Sequence, residues 1–71
     1  MPRYHFHIRN SRPFDDAQGA DLPNDAAAWR EATLLCRDIE GSLEPGERWL
    51  LEVAEGNVPV FALSITSRRF R

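Results

Sequence analysis

Along residues 3 to 9 apolar and polar positions alternate without a break. Tyr4, Phe6 and Ile8 fall on one side, and Arg3, His5, His7 and Arg9 on the other. This is the period-two pattern of a half-buried β-strand. Turn-forming Asn10, Ser11 and Pro13 end it, and Phe14 with Asp15 is predicted to form a short second strand antiparallel to the first. Asp16-Ala17-Gln18-Gly19 has the composition of a tight turn, with Gly19 free to take a positive φ that a Cβ would resist. Leu22-Pro23-Asn24-Asp25 reads as a helix entrance, capped by Asn24 or Asp25.

From Ala26 to Leu43 the period changes to three and four. Ala28, Ala32, Leu35, Ile39 and Leu43 share a helical face flanked by Trp29 and Cys36, and this face is predicted to meet the sheet. Arg30, Thr33, Arg37 and Asp38 lie opposite, with Leu34 among them as a candidate contact residue. Gly41 or the Glu44-Pro45-Gly46 segment ends the helix. Alternation then returns. Trp49, Leu51 and Val53 alternate with Arg48, Leu50 and Glu52, and after Ala54-Glu55-Gly56-Asn57 the residues Phe61, Leu63 and Ile65 alternate with Val60, Ala62 and Ser64. The pair reads as a β-hairpin. Pro59, lacking an amide donor, belongs near a strand start or on an edge.

The predicted fold class is therefore α+β: a single helix packed on one face of a small, mainly antiparallel sheet of three to four strands, in β-β-α-β-β order. Residues 1–71 form one domain, with residues 68–71 as a basic tail expected to fray. One helix covers one side of a sheet. Tyr4, Phe6, Ile8, Trp49, Leu51, Phe61, Leu63 and Ile65 would face it, with Trp29 and Trp49 as partners between helix and sheet. The other side, carrying His5, His7, Arg9, Leu50, Glu52 and Val60, is left open. Its mixture of polar and apolar groups suits a protein contact.

Composition narrows the reading further. A chain 42% hydrophobic and 28% charged has the make-up of a globular domain. Its single cysteine, Cys36, offers no internal disulfide to a small core, so self-association as a homodimer, or a protein partner, is expected. No apolar run is long enough to span a bilayer and no signal-peptide pattern opens the chain, which points to the cytoplasm. All nine basic residues are arginine, and the net charge is −2. Arg3, Arg9, Arg12, Arg68, Arg69 and Arg71 lie near the termini, while every acidic residue falls between Asp15 and Glu55. If the first strand ran antiparallel beside the last, Arg3, Arg68 and Arg69 would form an anion-binding patch. The negative net charge and the absence of lysine disfavour nucleic acid as its ligand.

His5 and His7, two apart on a strand, project to the same side, and with Glu52 they would be the only candidates for a metal site. Two imidazoles without the spacing of an established site are better read as half-exposed strand residues, so no metal and no cofactor is assigned. Asp15 and Asp16 are read as turn residues whose side chains satisfy nearby amides. Cys36 is read as a small buried apolar group. Ser64 and Ser67 lack the strand-to-helix elbow of a serine nucleophile, and no glycine-rich phosphate loop is present. With no catalytic constellation, the chain is read as a non-enzyme.

The opening Met1-Pro2-Arg3-Tyr4-His5-Phe6-His7, followed by Asp15-Asp16, Gly19, Leu22-Pro23 and the alanine-rich stretch from Asp25 to Ala32, resembles an uncharacterised family of short alphaproteobacterial proteins of rhizobial type, a domain of unknown function. Members look like Met-Pro-Arg followed by aromatics and histidine, an Asp-Asp/Gly turn, a helix with Glu-Ala pairs as at Glu31-Ala32, and a closing hairpin. The resemblance implies a bacterial cytoplasmic protein and brings no activity with it. Members often carry an acidic hairpin turn where this chain has Ala54-Glu55-Gly56-Asn57. The functional expectation is a protein-interaction or regulatory module using the open sheet face, the alternative being anion or nucleic-acid binding by the terminal arginines with His5 and His7.

Overall fold

A computed structural model of the chain describes residues 1–10 and 13–71. The Ser11 part of the predicted turn, and Arg12 of the basic N-terminal group, lie outside the described residues. The elements are β1 (Arg3–Arg9), β2 (Ala20–Asp21), α1 (Asp25–Gly41), β3 (Arg48–Glu55) and β4 (Val58–Thr66). The four strands form one antiparallel sheet in the order β2-β1-β3-β4 with the helix packed against it. The fold is thus α+β in β-β-α-β-β order, as the pattern predicts.

The core lies between α1 and the inner sheet face. Tyr4 and Phe6 of β1, Leu51 and Val53 of β3, and Ala28 and Ala32 of α1 are buried together, with Ile8, Leu35, Cys36, Phe61 and Leu63 packed against them. Ala28 and Ala32 are both 0% exposed. Their small side chains let the helix axis approach the sheet closely, which a larger residue there would prevent. Asn24 caps the helix, its Oδ1 accepting from the Ala27 amide at 2.9 Å, and satisfies one of the free donors of the first turn. Trp29 departs from its predicted role. It remains 46% exposed and meets the edge of Phe61 at 5.1 Å between ring centroids, so it closes the rim of the core and does not fill it. Leu34 is exposed, on the side of the helix away from the core. Leu43 lies beyond the helix, which ends at Gly41.

The short second strand is displaced from its predicted position. Phe14 makes only an isolated bridge to Ile8, Asp15 is outside any strand, and the ladder strand is Ala20–Asp21, paired with Tyr4 and Arg3. The two pairings are offset by two residues, because the chain loops out between them at the Asp16–Gly19 turn. Gly19 turns that corner at a φ of +72°. Residues 13–21 thus form a strap along the outer edge of β1, further tied by the Leu22 amide to the Pro2 carbonyl at 3.0 Å.

The hairpin turn between β3 and β4 holds Gly56 at a φ of +60° while Asn57 stays negative, the sign pattern of a type II′ turn. The register shifts at Val53/Ala54: Ala54 pairs with Pro59, Val53 with Phe61, and Val60 is the extra residue of a β-bulge. At the far end the Ser67 amide donates to the Glu47 carbonyl at 2.9 Å, and Arg68, Arg69, Phe70 and Arg71 beyond it are exposed. The body is long, 47 × 19 × 16 Å along its principal axes. Among the described residues no helix is long and apolar enough to cross a membrane.

Tyr4 ties β1 to the start of the helix. Its ring is 1% exposed and its hydroxyl donates to Asp25 Oδ1 at 2.6 Å. The hydrogen bond to Asp25 first, then burial and the charges of Asp25 and Glu55, push its pKa up to about 12. A group whose folded value lies above its unfolded one stabilises the fold fully below the unfolded value, about 10 for tyrosine, and the contribution fades as pH rises towards the folded one. Because the chain has a single tyrosine, its tyrosinate absorbance reports this group alone. The expected titration midpoint lies near 12 in the native chain and falls in Asp25→Asn; equal midpoints in the two proteins would refute the assignment.

Candidate functional site

Strand register sets the outer face in three rows. His5, Ala54 and Pro59 form the first, His7, Glu52 and Ala62 the second, and Arg9, Leu50 and Ser64 the third. Of the candidate contact residues, the sheet brings His5, His7, Arg9, Leu50 and Glu52 together as the alternation requires. Val60 departs from its predicted place. The bulge turns it to pack against the core cluster, so it contributes to the outer face only where it borders a hollow.

That hollow, of about 270 Å³, lies over the bulge and is lined by His7, Glu52, Ala54, Pro59, Val60 and Ala62 together with Val53 and Phe61. A bulge bends its strand and locally interrupts the ladder. Here the small side chains of Ala54 and Ala62 add a depression next to it. The walls are largely apolar, with His7 and Glu52 supplying polar groups.

The histidines are held by the strap. Asp16 is the hub: its amide donates to His7 Nδ1 at 3.1 Å, and its carbonyl accepts from His5 Nδ1 at 2.8 Å. A carbonyl can only accept and an amide N–H can only donate. These partners therefore assign the proton to Nδ1 in His5 and, for neutral His7, to Nε2. The two rings lie parallel within 4° at 6.1 Å. Asp16 also accepts through its carboxylate, from the Phe6 amide at 3.2 Å and the Gly19 amide at 3.0 Å. Burial pushes its carboxyl up, but the Gly19, Phe6 and Gln18 amides, with His5, outweigh burial and hold it below its ordinary value. Asp16 thus plays the turn role predicted for it and fills the ladder position left empty where the strap loops out.

The charged groups nearby form a chain of ion pairs. Arg9 Nη1 meets Asp15 Oδ1 at 2.5 Å and Arg9 Nε meets Glu52 Oε1 at 3.1 Å; His7 Nδ1 lies 3.7 Å from Asp15 and joins them only as imidazolium, since in the neutral ring that nitrogen accepts from the Asp16 amide. The hydrogen bond and charge of Arg9 hold the Asp15 carboxyl below its ordinary value against a smaller opposing effect of burial. These pairs are solvent-exposed, so they orient side chains more than they stabilise the fold. Glu52 is committed to Arg9 and both Nδ1 atoms to Asp16. Among the described residues no group of three or more His, Cys, Asp or Glu side chains converges to hold a metal ion. Cys36 lies half-buried on the helix, its thiol pushed up by burial and by Glu40, an environment opposite to that of a reactive thiolate.

The expected Arg3–Arg68–Arg69 patch is not assembled. β3 lies between β1 and β4, so β1 and β4 run parallel and Arg3 sits at the Glu55–Val58 end of the sheet, whereas Arg68 and Arg69 follow Thr66 at the other. Arg3 is paired with Asp21 at 3.1 Å and donates to the Gln18 carbonyl. Asp16, Ala54 and Pro59 also belong to this site, although in the sequence they carry only turn or strand chemistry. A signal for the bulge was nonetheless present: apolar residues occupy even positions at Val58 and Val60, then odd ones from Phe61 to Ile65.

With this geometry in place, the chain can be assigned to a family: it belongs to the domain of unknown function DUF6894, whose model matches residues 3–66. No curated protein and no solved structure matches it.

Proposed function

We propose that the chain is a non-enzymatic protein-interaction module of the cytoplasm, which receives a protein partner on the outer sheet face. The observation that supports this reading is the hollow at the bulge, set in a face of mixed chemistry. Small-molecule sites generally run upward from about 300 Å³ and enclose their ligand. A depression of 270 Å³ lined by alanine, proline and valine is better matched to one apolar anchor side chain of a partner. The anchor would sit beside His7 and Glu52, while Arg9 and Leu50 form the surrounding contact.

The strap supports the same reading. By fixing His5 and His7 through Asp16 it presents a preformed surface, and a preformed surface loses less entropy on binding. Leu50→Asp, on the outer face and away from the buried core, is expected to leave the helix and sheet signals of circular dichroism unchanged. It should abolish recovery of a specific protein retained by the native chain from extract of its own cells. Identical sets of retained proteins for native chain and variant would sink the proposal.

A further inference from the structure

The two edges of the sheet are finished differently. Along β1 the strap closes the edge: Phe14 bridges to Ile8, the Asp16 carboxylate takes the Phe6 amide, and Ala20–Asp21 pairs with Tyr4 and Arg3. β4, on the far side, is the open edge. Its nine residues, Val58–Thr66, carry no charged side chain. Its proline and its bulge both lie in the first part, at Pro59 and Val60. From Phe61 to Thr66 the strand is regular, with none of the lysines, prolines or inward charges by which soluble proteins block pairing. Alternate residues of such an edge turn both N–H and C=O outward, unpaired within the sheet.

We propose that β4 pairs with β4 of a second copy of this chain, antiparallel about a two-fold axis near Leu63, to make one continuous eight-stranded sheet. Charge selects both the partner and its direction. Antiparallel pairing carries the residues after Thr66 of each copy towards the Glu55-Gly56-Asn57 turn of the other, setting Arg68, Arg69 and Arg71 against Glu55. Parallel pairing would instead bring the two arginine tails together, and like charges side by side are destabilising. A two-fold axis normal to the sheet keeps both helices on one side and both outer faces on the other. The two hollows, bordered by Pro59, Val60 and Ala62 of β4, then flank the joint as a bivalent surface. This inference goes beyond the outer-face reading and stands or falls separately from it.

The test is the mass of the full chain by sedimentation equilibrium, from about 1 μM to about 0.5 mM, a range that brackets the affinity of an ordinary transient dimer. A dimer is expected. Ala62→Lys with Ser64→Lys, both at exposed positions, gathers four ammonium groups at the joint and should raise the dissociation constant at least about tenfold. Glu55→Arg should weaken the dimer, and adding Arg68→Glu and Arg69→Glu should restore it. This charge exchange decides the matter even if the lysine variant folds poorly. Leu50→Asp should leave the dimer intact. A monomer throughout the range, a charge exchange without rescue, or loss of the dimer in Leu50→Asp would overturn the proposal, the last by moving the contact to the outer face.

Discussion

Gly19→Ala is expected to release the strap from β1 while the helix and the β3–β4 hairpin stay folded. A Cβ at Gly19 would lie 2.7 Å from the Tyr4 carbonyl oxygen and 2.9 Å from both Arg3 Cγ and His5 Cε1, at a φ of +72°. The left-handed conformation alone costs an alanine about 1–2 kcal/mol, and the close approach to backbone adds to it, for a total of about 2–4 kcal/mol. The strap has few contacts with which to resist. Besides exposed side-chain contacts of Arg9 with Asp15 and of Arg3 with Asp21 and the Gln18 carbonyl, its pairing consists of one bridge at Phe14, two residues of β2 and the hydrogen bonds of Asp16 and Leu22. Once strain exceeds what those contacts hold, the strap lets go, which caps the damage to the rest of the domain. Amide exchange reads this directly. Phe6 and Ile8 donate to the strap and should lose protection, whereas amides of the β3–β4 ladder should not. Unchanged protection at Phe6 and Ile8 would contradict the close approach.

Asp16→Ala is expected to release the same segment by a different route. It strips the acceptor from the Phe6 and Gly19 amides, and a donor left unsatisfied in a partly buried setting costs about 1–3 kcal/mol. The native chain should show a milder version of this in acid. Because the folded Asp16 carboxyl is held below its ordinary value, its contribution is complete above that ordinary value, about 4, and is lost as pH falls through the lower folded one. Asp15, lowered by Arg9, titrates in the same region, so the comparison belongs in an Asp15→Asn background. There, Asp16→Asn keeps one acceptor oxygen but no charge. Exchange at Phe6 should become independent of pH across the acid range, after correction for the intrinsic rate. An acid step surviving in that double variant would show that another group controls the strap.

Most of the fold was legible because burial writes itself as a period. Tyr4, Phe6 and Ile8 at every second position, and Ala28, Ala32, Leu35 and Ile39 at every third or fourth, each mark the side that meets the core. The turn roles of Asp16 and Gly19 were legible for a local reason, since both follow from what their own side chains can and cannot do. The displaced second strand was not, because two residues such as Ala20 and Asp21 are too few to show a period. Their pairing is decided by where the Gly19 corner returns the chain. Strand order was equally hidden: alternation says which side a residue faces and nothing about which strand lies beside it. Hence the sequence left open a patch of Arg3 with Arg68 and Arg69, on the condition that the first strand lay beside the last, whereas β3 separates them. The outer face was read correctly residue by residue from His5 to Glu52, but its hollow was not, because a one-residue bulge at Val60 changes parity in mid-strand.

The elongation of the body affects how the molecule will behave on a sizing column. Its radius of gyration is 12.9 Å, whereas a compact chain of this length is expected near about 11 Å. A particle of that shape diffuses more slowly than a sphere of equal mass and elutes ahead of spherical standards. Retention volume alone will therefore overstate the mass of a single chain, drawing it towards that of two, and only a measurement independent of shape will count the subunits correctly.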